Sequence, residues 1–263
     1  MQQQGWGKVV ILQFPKSLVP VQSELSSNFK IFQLSESTDQ AIQEIIARIQ
    51  SEAGPIGAFI HLHPQSKDTF DISSLFPESE QQIVKTVFFL AKHLGQPLID
   101  AADSSYRSFF ITLTRLNGKL GFDSIDSGSV MQGGLYGLIK TANIEWSDVF
   151  CRSIDFAPGM SEKDIADRFE AELYDPDMRI TEIGYNGEKR TTLTTEIENS
   201  DEEIVADSSG FKDTTFLVAG GAKGVTAACV QELARREKCK FILLGRTEYP
   251  VAEPEFLAGV KDE

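Results

Sequence analysis

Cysteine, positive charge and long apolar runs are all scarce in this sequence of 263 residues. Only Cys151, Cys229 and Cys239 occur, and no two of them form a Cys-x-x-Cys pair. That argues against a disulfide framework or a zinc knuckle and for reduced thiols in a cytoplasmic setting. The 25 Lys and Arg residues are outnumbered by 39 Asp and Glu, for a formal net charge of −14. A surface of that sign repels phosphate backbones, so no nucleic-acid partner is expected, and the acidity reads as ordinary solubilising charge. The start "MQQQGWGKVVILQF" has neither the charged opening nor the long apolar core of a signal peptide. No apolar run approaches the roughly 20 residues of a membrane span, so no membrane association is expected either. Internal repeats at solenoid periods are missing too.

What is there is an apolar fraction of 41%, enough for a sizeable core, laid out in alternating patterns. Lys8–Phe14, "NFKIFQL", "IGAFIHL", "RSFFITLT", "FCRSIDF" and "MRITEIGYN" are short apolar runs that read as strands. Helical spacing lies between them. The stretch "SLVPVQSELSSN" has room for one short helix with Pro20 in its first turn. Ser37 and Gln40 form a capping box ahead of the stripe Ile42, Ile45, Ile46 and Ile49, and Gly54-Pro55 stops that helix. "SEQQIVKTVFFLAKHLG" repeats apolar residues at helical spacing and is expected to end at Gly95. "GGLYGLIKTANIEWS" and "SEKDIADRFEAELY", the latter capped by Ser161, complete the set. Strand and helix alternating from end to end predict a doubly wound parallel sheet, because each parallel crossover needs a covering helix.

The alternation breaks once. "TEIENSDEEIVADSSGFKD" is rich in Asp, Glu and Ser, has little to bury, and reads as a linker. The expected division is residues 1–197, an acidic linker over 198–213, and a second unit over 214–263. The second unit opens with "TTFLVAGGAKGVTAACVQELARREKCKFILLGRT": strand, glycine-rich turn, helix, strand. Gly220, Gly221 and Gly224 permit a tight turn and close backbone approach to a pyrophosphate. Ala222 completes the turn, Lys223 adds a cation, and the helix from Val225 offers free N–H groups and a positive dipole end. Arg246 and Thr247 follow the second strand, where a dinucleotide fold meets the adenosine ribose. An arginine there favours a 2′-phosphate, so NADPH is expected over NADH.

The turn "AGGAKGVT" and the following "LLGRT" resemble the ketoreductase domains of polyketide and polyunsaturated fatty acid synthases, which are short-chain dehydrogenases/reductases. Ala219 and Thr226 replace the Thr and Gly that begin and end the usual loop. Upstream, "GGLYGLIKTANIEWSDVFCRSIDFAPGM" resembles the late part of the structural half of such domains, and "IGAFIHLHP" its middle strand. The resemblance implies a degenerate Rossmann-like structural subdomain followed by an incomplete second Rossmann βαβ unit. It further implies NADPH-dependent reduction of β-ketoacyl groups carried on the phosphopantetheine arm of an acyl carrier protein, beside neighbouring synthase domains. The catalytic Ser, Tyr and Lys are then expected beyond Glu263, and the chain by itself is expected to be inactive. The alternative is a non-catalytic scaffold that contacts other synthase domains.

Tyr136 and Lys140 match the Tyr-x-x-x-Lys pair of many short-chain reductases, in which the tyrosine protonates the carbonyl oxygen. The register of the resemblance puts those two roles at Gly128 and Gln132 instead, about two helical turns earlier. The turn after Phe14, "PKSLVP", has no glycine cluster for phosphate. Residues 1–197 are therefore expected to be a non-catalytic copy. His61 and His63 lie on one side of a strand, with no third ligand evident in the sequence, and read as core or pocket-edge residues.

Overall fold

The computed structural model describes residues 7–19, 28–64, 76–102, 107–123, 130–187, 189–196, 211 and 213–246. They divide into two units, Met1–Thr195 and Glu196–Glu263. The short helix expected around Pro20 and most of the acidic linker lie outside the described residues.

In the first unit β1 (Val10–Gln13) and β2 (Lys30–Gln33) pair in parallel. A second sheet has the order β3 (Ala58–Leu62), β4 (Ser108–Thr114), β5 (Val149–Phe156), β6 (Glu182–Asn186), β7 (Lys189–Thr191). All its pairs are parallel except β6 with β7. Among the described residues of this unit the α-helices are α1 (Asp39–Ala53), α2 (Glu78–Ala102), α3 (Gly133–Glu145) and α4 (Glu162–Leu173). The fold is the expected α/β type with a mostly parallel sheet.

β4 and β5 are buried at every position, as strands covered on both faces must be. Their side chains alternate between two cores. Phe110, Val149 and Cys151 pack with α1, α2 and α3, joined by Val10, Leu12 and Phe14 of the β1 region. Phe109, Ile111, Phe150, Ile154 and Phe156 pack with Phe169 and Leu173 of α4. The Cys151 thiol is enclosed, and burial pushes its pKa up to about 12. It is a packing residue.

The isoleucine stripe of α1 is buried as its spacing requires, and Gly54 ends the helix at φ 102°. The cap is shifted from the expected one. Thr38, not Ser37, is the N-cap, and its hydroxyl accepts from the Ala41 N–H. Gln40 instead donates along the helix to Glu44. The larger difference is in α2, which runs on past Gly95 to Ala102 with Pro97 inside it. Gly95 is a contact residue: a Cβ there would stand 2.9 Å from Trp146 Cζ2. Trp146 in turn meets the Phe110 ring edge-on at 5.3 Å. Leu94 and Leu98 continue the buried stripe across the glycine, and that packing holds the extra turns despite the proline.

One buried ionic network joins β5 to the α4–β6 side. Arg152, fully buried, donates to Glu172 and to Asp175, and to the carbonyls of Ile180 and Asp177. Tyr185 and Arg190 also donate to Glu172. Each nitrogen of the Arg152 guanidinium thereby has an acceptor, the condition for tolerating a buried guanidinium.

In the second unit β8 (Thr215–Ala219) and β9 (Lys240–Leu244) pair in parallel across α5 (Gly224–Arg236). Phe216 and Phe241, register partners, stack at 5.6 Å. No residue of α5 is buried, and Leu217, Ile242 and Leu243 are exposed.

Candidate functional site

The glycine-rich turn lies directly off the carboxyl end of β8. The Ala219–Leu244 register sets it beside the end of β9, and the Gly220 N–H donates to the Leu244 carbonyl at 2.7 Å. Gly220 and Gly224 have φ of 76° and 63°, a region that side-chain-bearing residues rarely adopt. A Cβ on either would meet nothing within 4 Å, so the backbone here faces open space. Gly221 differs. It is buried, and a Cβ would stand 2.7 Å from Leu243 Cδ2 and 3.0 Å from Val218 Cγ1. Two glycines thus shape the turn and the third seats it on the strands.

Lys223 is the N-cap of α5 in extended conformation, and no side chain caps the helix. α1 and α4 are closed by Thr38 and Ser161 hydroxyls. Among the described residues no side chain takes up the first N–H groups of α5, and an anion suits both them and the dipole. Ala222, Lys223, Gly224 and Val225 are all exposed there. Arg246, exposed, follows β9 by two residues at the same end of the ladder. Thr247 lies outside the described residues. The structure therefore groups the turn and Arg246 at one end of one parallel pair, where open α/β sheets hold ligands.

In the first unit Tyr136 is buried, and its Oη is 2.8 Å from Thr114 Oγ1. Thr114 gives its hydrogen to Asp155 Oδ1 at 3.1 Å, so the phenol is the donor to Thr114. Burial, with the Asp155 charge, drives the phenol pKa far above its ordinary value. Lys140 pairs with Glu182 at 3.1 Å. The phenol and ammonium that share the Tyr-x-x-x-Lys spacing have separate partners.

Asp155 is itself an anchor. Its carboxylate accepts the N–H groups of Leu116 at 2.8 Å, Leu120 at 2.9 Å and Asn117 at 3.4 Å. It thereby fixes the loop after β4. That loop turns through positive φ at Gly118, Leu120 and Gly121, and a Cβ at Gly118 would stand 2.0 Å from the Tyr185 carbonyl oxygen. Nothing in the local pattern "RLNGKLGF" reveals the carboxylate, which comes from a distant strand.

His61 and His63 do point the same way, and Glu80 of α2 completes a chain with them. His61 Nε2 lies 3.2 Å from His63 Nδ1, and His63 Nε2 lies 2.9 Å from Glu80 Oε2. Among the described residues no group of three His, Cys, Asp or Glu converges as metal ligands would.

This fold is shared with ketoreductase domains of assembly-line synthases. An N-terminal ketoreductase from the macrolactin assembly line matches 95% of this chain and 46% of its own, with a TM-score of 0.56 at 13% identity. A multidomain structure containing the ketoreductase of a keto acid-selecting NRPS module matches 94% of this chain and 20% of its own, at TM-score 0.55 and 16% identity. No known family profile matches the chain. In sequence, it is homologous to part of a polyunsaturated fatty acid synthase polypeptide of Thraustochytrium sp., 32% identical over 238 residues. That match spans 87% of this chain and 8% of the much longer relative.

Proposed function

We propose that this chain is a ketoreductase region of a multifunctional fatty-acid or polyketide synthase. In this reading Gly220, Gly221, Ala222, Lys223, Gly224, Val225, Arg246 and Thr247 form the phosphate end of an NADPH site. NADPH, when bound, supplies the hydride that reduces the β-carbonyl of an acyl chain carried on an acyl carrier protein. The chain's own part is to hold the pyrophosphate on the turn and the α5 N–H groups, and the 2′-phosphate on Arg246. The observation that carries this reading is the uncapped start of α5 behind a turn with two positive-φ glycines that face open space. In this reading the first unit, with Tyr136 tied to Thr114 and Lys140 to Glu182, has a supporting and non-catalytic role, and the parent synthase supplies the neighbouring domains. The setting is cytoplasmic.

Two substitutions in the parent synthase test it. Arg246→Ala is expected to weaken NADPH by roughly 1.5–3 kcal/mol, the loss of a charge-assisted phosphate contact, and to leave NADH nearly unchanged. Calorimetric titration with each cofactor measures the difference, and equal losses remove Arg246 from the 2′-phosphate. Gly221→Val, which drives a side chain into Leu243 and Val218, is expected to abolish NADPH-dependent reduction of a β-ketoacyl thioester. Full turnover in that variant overturns the reading.

A further inference from the structure

The junction of β3 with α2 holds titratable groups that the proposed reductase site does not use. His61, His63 and Glu80 are exposed by only 4%, 7% and 7%. Among the described residues the surrounding elements contribute these groups. β1 leads to the Phe14 ring, edge-on to His61 at 5.7 Å. β4 brings Thr112, the register partner of His61, whose hydroxyl is bonded to Ser153 Oγ at 2.6 Å. α2 brings Glu80, whose carboxyl is bonded to His63.

Counting hydrogens shows what this chain tolerates. The contact between the two rings has room for one hydrogen. With both imidazoles neutral, His63 donates from Nε2 to Glu80, and its Nδ1 accepts from His61. One added proton is also accommodated: His63 becomes an imidazolium that donates to Glu80 on one side and to His61 Nε2 on the other. A second proton puts two N–H groups face to face 3.2 Å apart, and the contact becomes repulsive.

We propose that the His61–His63–Glu80 chain is an acid-sensitive latch, which holds the first turn of α2 on the end of β3 and releases it when both imidazoles are protonated. The His63 backbone N–H remains bound to the Leu113 carbonyl, so β3 stays in its sheet and the helix start is the part that moves. Burial, with the proximity of His63, keeps the His61 imidazole well below its ordinary pKa. A depressed folded-state pKa leaves stability untouched while the unfolded imidazole is also neutral. It removes stability as pH falls below about 6.5, where only the unfolded ring takes the proton.

Hydrogen exchange of the chain, corrected for the intrinsic effect of pH, tests the latch. Between about pH 7.5 and about pH 5.5, amides over 78–86 are expected to lose about tenfold in protection, while those over 149–156 keep theirs. His61→Gln preserves a donor to His63 but cannot titrate, and its α2 protection is expected to stay flat. A wild-type profile that does not change with pH overturns the proposal, as does an unaltered pH response in His61→Gln. If that variant does not fold, the imidazole nitrogen shifts of the wild type decide. Coupled titration that coincides with the loss of protection supports the latch; independent titration of the two rings overturns it.

Discussion

The Tyr136 phenol donates to Thr114 Oγ1 at 2.8 Å, and Thr114 passes its own hydrogen to Asp155. The hydroxyl that best matches a reductase signature is thus an interior strut between α3 and β4. Tyr136→Phe is expected to leave cofactor binding and any reductase turnover of the parent synthase unchanged. It should cost about 1 kcal/mol of stability, the worth of one buried hydrogen bond. Denaturant titration and a ketoreductase assay measure the two quantities, and loss of turnover without loss of stability would return Tyr136 to the chemistry.

Arg152 offers a sharper test of the ionic network. Arg152→Met removes the partner of buried Glu172 and of Asp175, and unpaired buried charge is expensive. A loss of about 3 kcal/mol is expected, since Arg190 still reaches Glu172. Burial raises the Glu172 and Asp175 pKa values. It is outweighed at Glu172 by Arg190, Tyr185 and Arg152, and at Asp175 by the Asp177 N–H, Arg152 and Arg190. Both carboxyls therefore titrate below their ordinary values. Their stabilisation is complete above about pH 4.5 and lost as pH falls through the lowered values. Wild-type unfolding should show that acid limb, and Arg152→Met should flatten it. The window lies below the one in which the histidine latch opens.

The β8–α5–β9 unit should exchange its amides far more readily than β5. Leu217 is 68% exposed and Val225 82%, whereas β5 has no exposed position. With so little apolar burial, opening should cost at least about 2 kcal/mol less over 215–244 than over 149–156. Native-state exchange reads this directly, and equal protection in the two segments would contradict it.

Much of this architecture is legible from local patterns. The Ile42, Ile45, Ile46 and Ile49 stripe, the Gly54 stop and the Ser161 cap depend on neighbours within a turn or two, and each is found where the pattern puts it. The strands from Ala58 to Asn186 follow their apolar runs. What escapes the sequence depends on partners far along the chain. Gly95 reads as a helix stop because the Trp146 ring that requires a glycine there belongs to the end of another helix. Glu80 looks like an ordinary first-turn acid until β3 delivers His63 to it. β7, with three exposed residues, has no apolar alternation to announce it. At the candidate site the turn glycines are legible, because positive φ is a local demand, and the packing of Gly221 under Leu243 is not.

Asp155 has a consequence for molecular competition. Its carboxylate already occupies the N–H groups of Leu116, Asn117 and Leu120. A dissolved anion seeking those amides must outcompete a rival fastened to the same chain, whose effective concentration is of millimolar order or above. The rival also arrives prepositioned by β5, so it loses little entropy on docking. The first unit thus carries a tethered inhibitor of its own loop, and a phosphate meets those three amides only by displacing a carboxylate that never leaves the chain.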